Sequence, residues 1–338
     1  MPGKLLTIAI PTCNRAQHLE LLLDVLACEL QDHWHQVELL VFDNASSDTT
    51  PEVTAAFTDR CPHARVVRHA HNIGSAPNFL ACLEAAEGRY FWLMGDDDAP
   101  VRGLLSKLLL LITEGDPDLV YLESLWAPDI KPLLPRYSVA AATARWMGRA
   151  DFASRTNVYL TFISSIVVEL QRLRARIDLP AAAAHMGAYF VQLSWTLGAL
   201  RTGERFAVID QPCVLATKGN SGGYGAITAF GAEFPKAVRH MLRGTPEYEI
   251  IMKRTVQLYL PGLTWEVRKG TAGAFNAENP WPLVRKEIGR RPLFWVLILP
   301  LGRFPLWLAQ PFYQIWRVIR RLARDFARLR AQGTGRPE

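Results

Sequence analysis

A chain of 338 residues that is 49% hydrophobic and 21% charged carries enough apolar material for a large core, which excludes a disordered or fibrous protein and leaves room for one to three domains. Its five cysteines (Cys13, Cys28, Cys61, Cys82, Cys213) are odd in number and lack a C-x-x-C pair, which excludes a disulfide framework and a zinc ribbon and fits a reducing compartment. The net charge of +6 is uneven: eleven Lys/Arg face two acids (Glu287, Asp325) between Arg285 and Arg330, so a basic tail, expected to meet something anionic, follows a slightly acidic body.

The N-terminal residues do not read as a signal peptide, because the apolar run after Lys4 stops at Pro11. That run, LLTIAI (Leu5 to Ile10), predicts a first strand. Leu19, Leu22, Leu23, Leu26 and Leu30 then recur at helical spacing. VELLVF (Val37 to Phe42) predicts a second strand. It ends in DNASSDTTPE, where Ser, Asp and Thr offer helix caps and Pro51 suits a first turn. RVVRH predicts a third strand, SAPNFLACLEAAEG a helix stopped by Gly88, and YFWLM a fourth strand. GLLSKLLLLITEG and DLVYLES add a helix and a fifth strand. This order predicts an α/β fold, with a mostly parallel sheet covered by helices on both faces.

Ligands of open α/β sheets bind beyond the carboxyl ends of the strands. The polar clusters fall at those ends: Thr12 and Asn14 after the first strand, Asp43 after the second, Asn72 and Gly74 after the third, and Asp96, Asp97 and Asp98 after the fourth. Three adjacent carboxylates repel one another unless a cation joins them, and Mg²⁺ and Mn²⁺ prefer such hard oxygen ligands. A solvated acidic turn before the next helix is the plainer alternative. The position of the cluster after an apolar strand, with Asp43 at the end of another, favours the cation.

The segments TIAIPTCNR, LLVFDNASSDTT, HNIGSAPNF and YFWLMGDDD resemble, in order and context, those of glycosyltransferase family 2. FISSIVV (162–168) and KGNSGGYG (218–225) resemble its bacterial surface-polysaccharide subgroup, with rhamnosyl- and abequosyltransferase-like enzymes, such as those of O-antigen synthesis. The resemblance implies a GT-A fold and an inverting, metal-dependent transfer from a nucleoside-diphosphate sugar, with Mg²⁺ or Mn²⁺ as cofactor. It implies that Pro11, Thr12, Asn14 and Arg15 form the first nucleotide-contacting loop. Asp43 would recognise base or ribose, and Asn72 and Gly74 would form a turn near the nucleotide. Asp96 and Asp98 match the outer residues of the DxD motif; Asp98 is the metal ligand, while Asp96 ligates it or faces ribose and sugar. Asp97 takes either role and is a candidate catalytic carboxylate.

The attacking hydroxyl needs a general base, and HMGAYFVQLSW (185–195), where the family's acceptor site is expected, has no carboxylate. His185 is a candidate because its ordinary pKa lies near neutrality, and a surface histidine is the plainer reading. Glu169, Asp151 and Glu123 are further candidates. The family's QxxRW element is absent. Lys218, Asn220 and Tyr224 are candidates to take over part of its work, with glycines admitting the diphosphate backbone closely and Lys218 neutralising it. The pairs His33/His35 and His69/His71 lack partner ligands and read as ordinary surface or site-edge residues.

The tail PLFWVLILPLGRFPLWLAQPFYQIW (292–316) is aromatic but interrupted by Pro300, Arg303, Pro305 and Pro311, too short between charges for a ready membrane span. RVIRRLARDFARLR then places Val318, Ile319, Leu322, Phe326 and Leu329 near one helical face among arginines. Peripheral attachment to an anionic membrane fits best, ahead of an oligomer contact and of a span or re-entrant hairpin. The expected domains are a catalytic domain 1–225 (nucleotide half 1–125, acceptor half 126–225), a helical extension 226–284 and a membrane-associating tail 285–338. The expected partners are a sugar nucleotide, a polyprenyl-diphosphate-linked glycan acceptor and the cytoplasmic face of a bacterial inner membrane. Nucleic acid is not expected, and an oligomer is left open. The alternatives are a non-catalytic sugar-nucleotide or glycan-binding scaffold and a transferase that loads sugar onto polyprenyl phosphate.

Overall fold

Leu19, Leu22, Leu23, Leu26 and Leu30 are all buried on one stripe of the first helix, so the leucine spacing forms the face that meets the sheet. The computed structural model describes residues 3–139, 143–187, 189–219, 225–270 and 279–333, with side chains as far as Leu322. The described residues divide into two compact units, 1–219 with 237–247 and 220–236 with 248–338.

The first unit follows the chain order β1 (Leu6–Thr12), α1 (Ala16–Leu30), β2 (Val37–Asp43), α2 (Thr50–Arg60), β3 (Ala64–Arg68), α3 (Ser75–Ala85) and β4 (Tyr90–Leu93). It continues with β5 (Ala99–Pro100), α4 (Leu104–Glu114), β6 (Leu119–Ala127), β7 (Ala144–Met147) and α5 (Arg149–Thr156). The last elements are β8 (Ile166–Glu169), α6 (Leu170–Arg176), α7 (Leu179–Ala183), α8 (Leu193–Thr202) and β9 (Phe206–Thr217).

Among the described residues these strands make one nine-stranded sheet in the order β3-β2-β1-β4-β8-β6-β9-β5, with β7 also on β9. The β3-β2-β1-β4 half is parallel, as the alternation of apolar strands and helices predicts. β8 runs antiparallel between β4 and β6, so the sheet is mixed beyond the predicted strands. Both faces are covered. Leu6, Ile8, Ile10, Leu39, Val41 and Trp92 share a core with the leucines of α1 and α4, whereas Phe91, on the opposite face of β4, meets Trp195 of α8 edge-on at 6.1 Å.

Two local features differ from the sequence reading. Gly88 does not stop α3, which ends at Ala85. A Cβ at residue 88 would lie 2.5 Å from the Thr7 backbone nitrogen, so glycine lets this loop close against β1, where its N–H donates to Thr7 Oγ1 at 2.8 Å. β9 is bulged as well: its register against β6 shifts between Leu122 and Ser124, and its outer half, Val214 and Leu215, pairs with β5 directly after the acidic cluster.

The second unit is helical. Trp265, Leu301 and Ala309 form a small core with Phe312 and Tyr313 against them. Its longest helix, Leu306–Gly333, contains Pro311, and no described helix is long and apolar enough to cross a membrane.

Candidate active site

Parallel pairing sets Thr12 opposite Asp43 at the carboxyl ends of β1 and β2. β4 flanks β1 on its other side, and Met94 N–H donates to Ala9 O, so the acidic cluster leaves the sheet at the same edge. Tight loops cross this edge. Asn14 (φ 54°) and Ala45 (φ 58°) adopt left-handed backbone. Asn14 Oδ1 accepts from Ser47 N–H at 2.7 Å, and its own N–H donates to Ser46 Oγ at 2.8 Å. Buried Asn44 ties the third loop in: Nδ2 donates to Asn72 Oδ1 (3.0 Å) and Gly74 O (3.2 Å), and Oδ1 accepts from Ile73 N–H (2.9 Å). Gly74, with φ of 88°, turns the chain into α3.

Two buried polar atoms on this edge have no hydrogen bond of normal geometry. Asp43 is 1% exposed; its Oδ1 accepts from Ser46 N–H, but Oδ2 has only an ion pair with Arg68 Nε at 3.4 Å. Thr12 Oγ1, beside the Asp96 carboxylate, is buried without a partner of normal geometry. Unsatisfied buried polar groups are costly, so this pair is suited to a ligand that brings hydroxyl or N–H groups.

The carboxylates beyond β4 are not a solvated turn, because Asp96 and Asp98 are both about 5% exposed or less. Arg15 Nη1 lies 3.1 Å from Asp96 Oδ1 and 3.5 Å from Asp97 Oδ2. Burial, with Asp97 adding to it, pushes Asp96 up to about 6 against the pull of Arg15. Among the described residues no such cation pairs with Asp98. Ser164 Oγ donates to its Oδ2 at 2.5 Å and Thr217 N–H to its Oδ1 at 3.3 Å, yet burial and the charge of Asp97 push it up to about 8. Without a cation, burial therefore favours the neutral form of Asp98.

A hard divalent cation fits this donor set. The ligands are all oxygen, they are consecutive, and the carboxyl group held neutral by burial regains its charge when a cation compensates it. Among the described residues no three ligating side chains already converge. A cation bound here would draw on Asp98 with Asp96 or Asp97 and would need its other ligands from substrate oxygens.

A cavity of about 230 Å³ opens on Asp97 and is lined by His18, Leu21, Pro128, Asp129, Ile130 and Thr217. Neither His185 nor Glu169 lines it. Glu169 pairs with Tyr90 at the opposite end of β4, where it binds Arg89 Nε (2.9 Å) and caps α6 through Arg172 N–H. His185 is exposed and stacks on His240 with ring centroids 4.2 Å apart. Glu123 is ion-paired with Arg155, and Asp151 lies in the first turn of α5. Lys218 is exposed one residue beyond Thr217, its N–H on Ala127 O; Asn220 and Tyr224 lie outside the described residues.

Four residues that sequence reasoning did not single out complete the site. Ser164 and Thr217 hold Asp98, Asn44 links three loops, and Asp129 is the further carboxylate on the cavity. Ser164 sits in the FISSIVV segment, the one signal that pointed to it; the register that returns Thr217 to Asp98 depends on the β9 bulge.

The family model for glycosyl transferase family 2 matches residues 7–164, the stretch containing Thr12, Asp43, the acidic cluster and Ser164. The matched stretch is a little under half of the chain. Over 106 residues the chain is 34% identical to abequosyltransferase RfbV of Salmonella typhimurium, 31% of either chain. Over 118 residues it is 22% identical to glycosyltransferase GlyG of Streptococcus pneumoniae, 35% of this chain and 38% of that one. The chain thus spans about a third of the length of the curated relatives it matches. The fold is similar to that of S. aureus TarS 1–349 in complex with UDP-GlcNAc, with a TM-score of 0.60 at 16% identity over 95% of this chain and 92% of that one. It is also similar to mannosyltransferase PcManGT of Pyrobaculum calidifontis in complex with GDP-Man and Mn²⁺, with a TM-score of 0.51 at 16% identity over 95% and 87%. These likenesses show the GT-A type of sheet that the motifs predict.

Proposed function

We propose that the chain is an inverting, metal-dependent glycosyltransferase. It moves a sugar from a nucleoside-diphosphate sugar to a hydroxyl of a polyprenyl-diphosphate-linked glycan at the cytoplasmic face of a bacterial membrane, in surface-polysaccharide synthesis. The observation that carries this reading is the buried Asp96–Asp98 cluster at the same strand edge as the unsatisfied Thr12 and Asp43. Supporting it are the sugar-nucleotide complexes of TarS and PcManGT, the Mn²⁺ of the latter, and the similarity to an abequosyltransferase. The lipid-linked acceptor rests on the basic, aromatic second unit.

Mg²⁺ or Mn²⁺, held by Asp98 with Asp96 or Asp97, would stabilise the charge that develops on the diphosphate leaving group. The protein's own groups do the rest. Asp43 accepts hydrogen bonds from ribose hydroxyls or a base N–H, a role that suits its Oδ2. Arg15 keeps Asp96 and Asp97 from repelling each other. Ser164 and Thr217 fix the Asp98 carboxylate. Lys218 places a cation at the end of β9 for the diphosphate. Asp129, on the cavity that opens on Asp97, takes the proton of the attacking acceptor hydroxyl. Attack from the side opposite the diphosphate inverts the anomeric configuration.

The test is to incubate the protein with a panel of sugar nucleotides, with Mn²⁺ or with EDTA. Mn²⁺-dependent release of nucleoside diphosphate, enhanced by a lipid-linked acceptor, is expected. Tight donor binding with no turnover under any acceptor would support the scaffold instead, and turnover on bare polyprenyl phosphate would support the lipid-loading alternative.

A further inference from the structure

The long helix of the second unit, Leu306–Gly333, has three faces. Ala309 and Trp316 are buried on one, with Trp316 Nε1 donating to Gln257 O at 2.9 Å. At helical register, Trp307, Pro311, Ile315, Val318 and Leu322 line up on roughly the opposite side. They face solvent: Trp307 is 72% exposed, Val318 58%, Ile315 54% and Leu322 51%. Between these faces, by register, run Arg317, Arg320 and Arg321, and the sequence continues with Arg324 and Arg328 against the single acid Asp325.

We propose that this outer stripe is a docking surface for an anionic lipid bilayer, on which the helix lies in the plane of the interface with Trp307 and Val318 inserted and the arginines at headgroup level. Charge selects this occupant. The 4-3-4 spacing of Pro311, Ile315, Val318 and Leu322 would also suit a second copy of the helix. A second copy would bring the same arginine flank with only Asp325 to offset it, so like charges would face each other along the seam. An anionic surface is complementary to that flank, and an exposed Trp beside basic residues is an interfacial pattern. The helix is tied to its unit through Trp316, which leaves the outer stripe available without unfolding. This inference deepens the membrane location and lipid-linked acceptor of the proposed function, and its failure is distinguishable from failure of the catalytic reading: docking is read by flotation, catalysis by donor turnover, and either can fail alone.

The experiment is flotation of the full-length protein with phosphatidylcholine vesicles, with and without about 30% phosphatidylglycerol. Wild type is expected to float with anionic vesicles. Arg317→Gln/Arg321→Gln is expected to lower partitioning about twentyfold, near fivefold per arginine. Trp307→Ser/Val318→Ser is expected to lower it at least about tenfold and to make the remainder fully removable by salt, because charge attraction is screened and apolar insertion is not. All four positions are exposed, so the thermal midpoint should not move; if that of the serine pair falls, Ile315→Ser/Leu322→Ser tests the same stripe. Wild type that stays with the soluble fraction, or stripe variants that float like wild type, would overturn the proposal. A dimer in sedimentation that the stripe variants dissociate, without vesicle binding, would assign the stripe to a second copy and overturn it equally.

Discussion

Replacing Asp98 with Asn should stabilise the protein in the absence of divalent cations, by an amount that grows with pH. The folded-state pKa of Asp98 is raised by burial and by Asp97 from an ordinary 3.8 up to about 8. A raised carboxyl favours the folded state fully below about pH 4; that contribution is lost as pH climbs toward 8, because the unfolded chain ionises freely while the buried group resists. Each pKa unit is worth about 1.4 kcal/mol, which caps the penalty near pH 8 at about 5–6 kcal/mol. Relaxation and water entry lower it, and an amide facing the Thr217 N–H sacrifices part of one hydrogen bond, so a gain of about 1–3 kcal/mol is expected. For a unit of this size that is a rise of about 2–10 °C in thermal midpoint at pH 8, shrinking to nothing near pH 4.

The assay is thermal unfolding of wild type and Asp98→Asn from pH 4 to 8 in EDTA, repeated with excess Mn²⁺. The cation should raise the wild-type midpoint and leave the variant nearly unmoved, because a ligand stabilises only the state that binds it. The variant should have no transferase activity. A variant less stable than wild type at pH 8, or an equal response of both proteins to Mn²⁺, would refute the claim that Asp98 is a buried ligand in need of a cation.

Asp43→Ala should weaken binding of a free nucleoside diphosphate about ten- to a hundredfold, even without metal, since a hydrogen bond to a buried charge is worth about 1.5–3 kcal/mol; unchanged affinity by calorimetry would remove Asp43 from the nucleotide site. Ser164→Ala should weaken Mn²⁺ binding about tenfold or more, with a smaller loss for nucleotide in EDTA, as expected of a residue that orients a ligand carboxylate; equal losses in both titrations would make Ser164 merely structural. Asp129→Asn should cut kcat about a hundredfold or more while leaving donor KM within about twofold, as expected for loss of a general base. A normal kcat across the pH range would return the search for the base to other residues.

The parallel half of the fold was legible because each strand is a short apolar run and each helix repeats its leucines at helical spacing. β8 and β9 were not legible from local pattern. β8 is four residues of an apolar segment whose antiparallel place between β4 and β6 depends on partners remote in sequence. β9 holds its register through a bulge, which no periodicity marks. The polar loops at this edge of the sheet could be read because they follow strand ends directly. Asp129, proposed above as the base, could not, because it lies in an exposed turn after β6, where an Asp accepting from the N–H two residues on is ordinary turn chemistry. His185 drew attention by its titration range, a property of the isolated side chain. Geometry decides whether that range is used, and His185 is occupied with His240.

A core strand can run straight into three carboxylates because the sheet, not the acidic segment, holds them. Tertiary contacts provide what the local sequence lacks: a guanidinium from the end of β1 between Asp96 and Asp97, a hydroxyl from the start of β8 on Asp98, and a backbone N–H from the end of β9. These partners orient the carboxylates but do not neutralise Asp98, the one farthest from Arg15 in the chain. Full neutralisation by a second arginine would have produced an inert structural ion pair like those around Glu169, where Arg89 and Arg172 surround one buried carboxylate. The contrast between the two buried acids at opposite ends of β4 separates their roles: Glu169 is satisfied by the protein alone, whereas Asp98 is positioned and left one charge short.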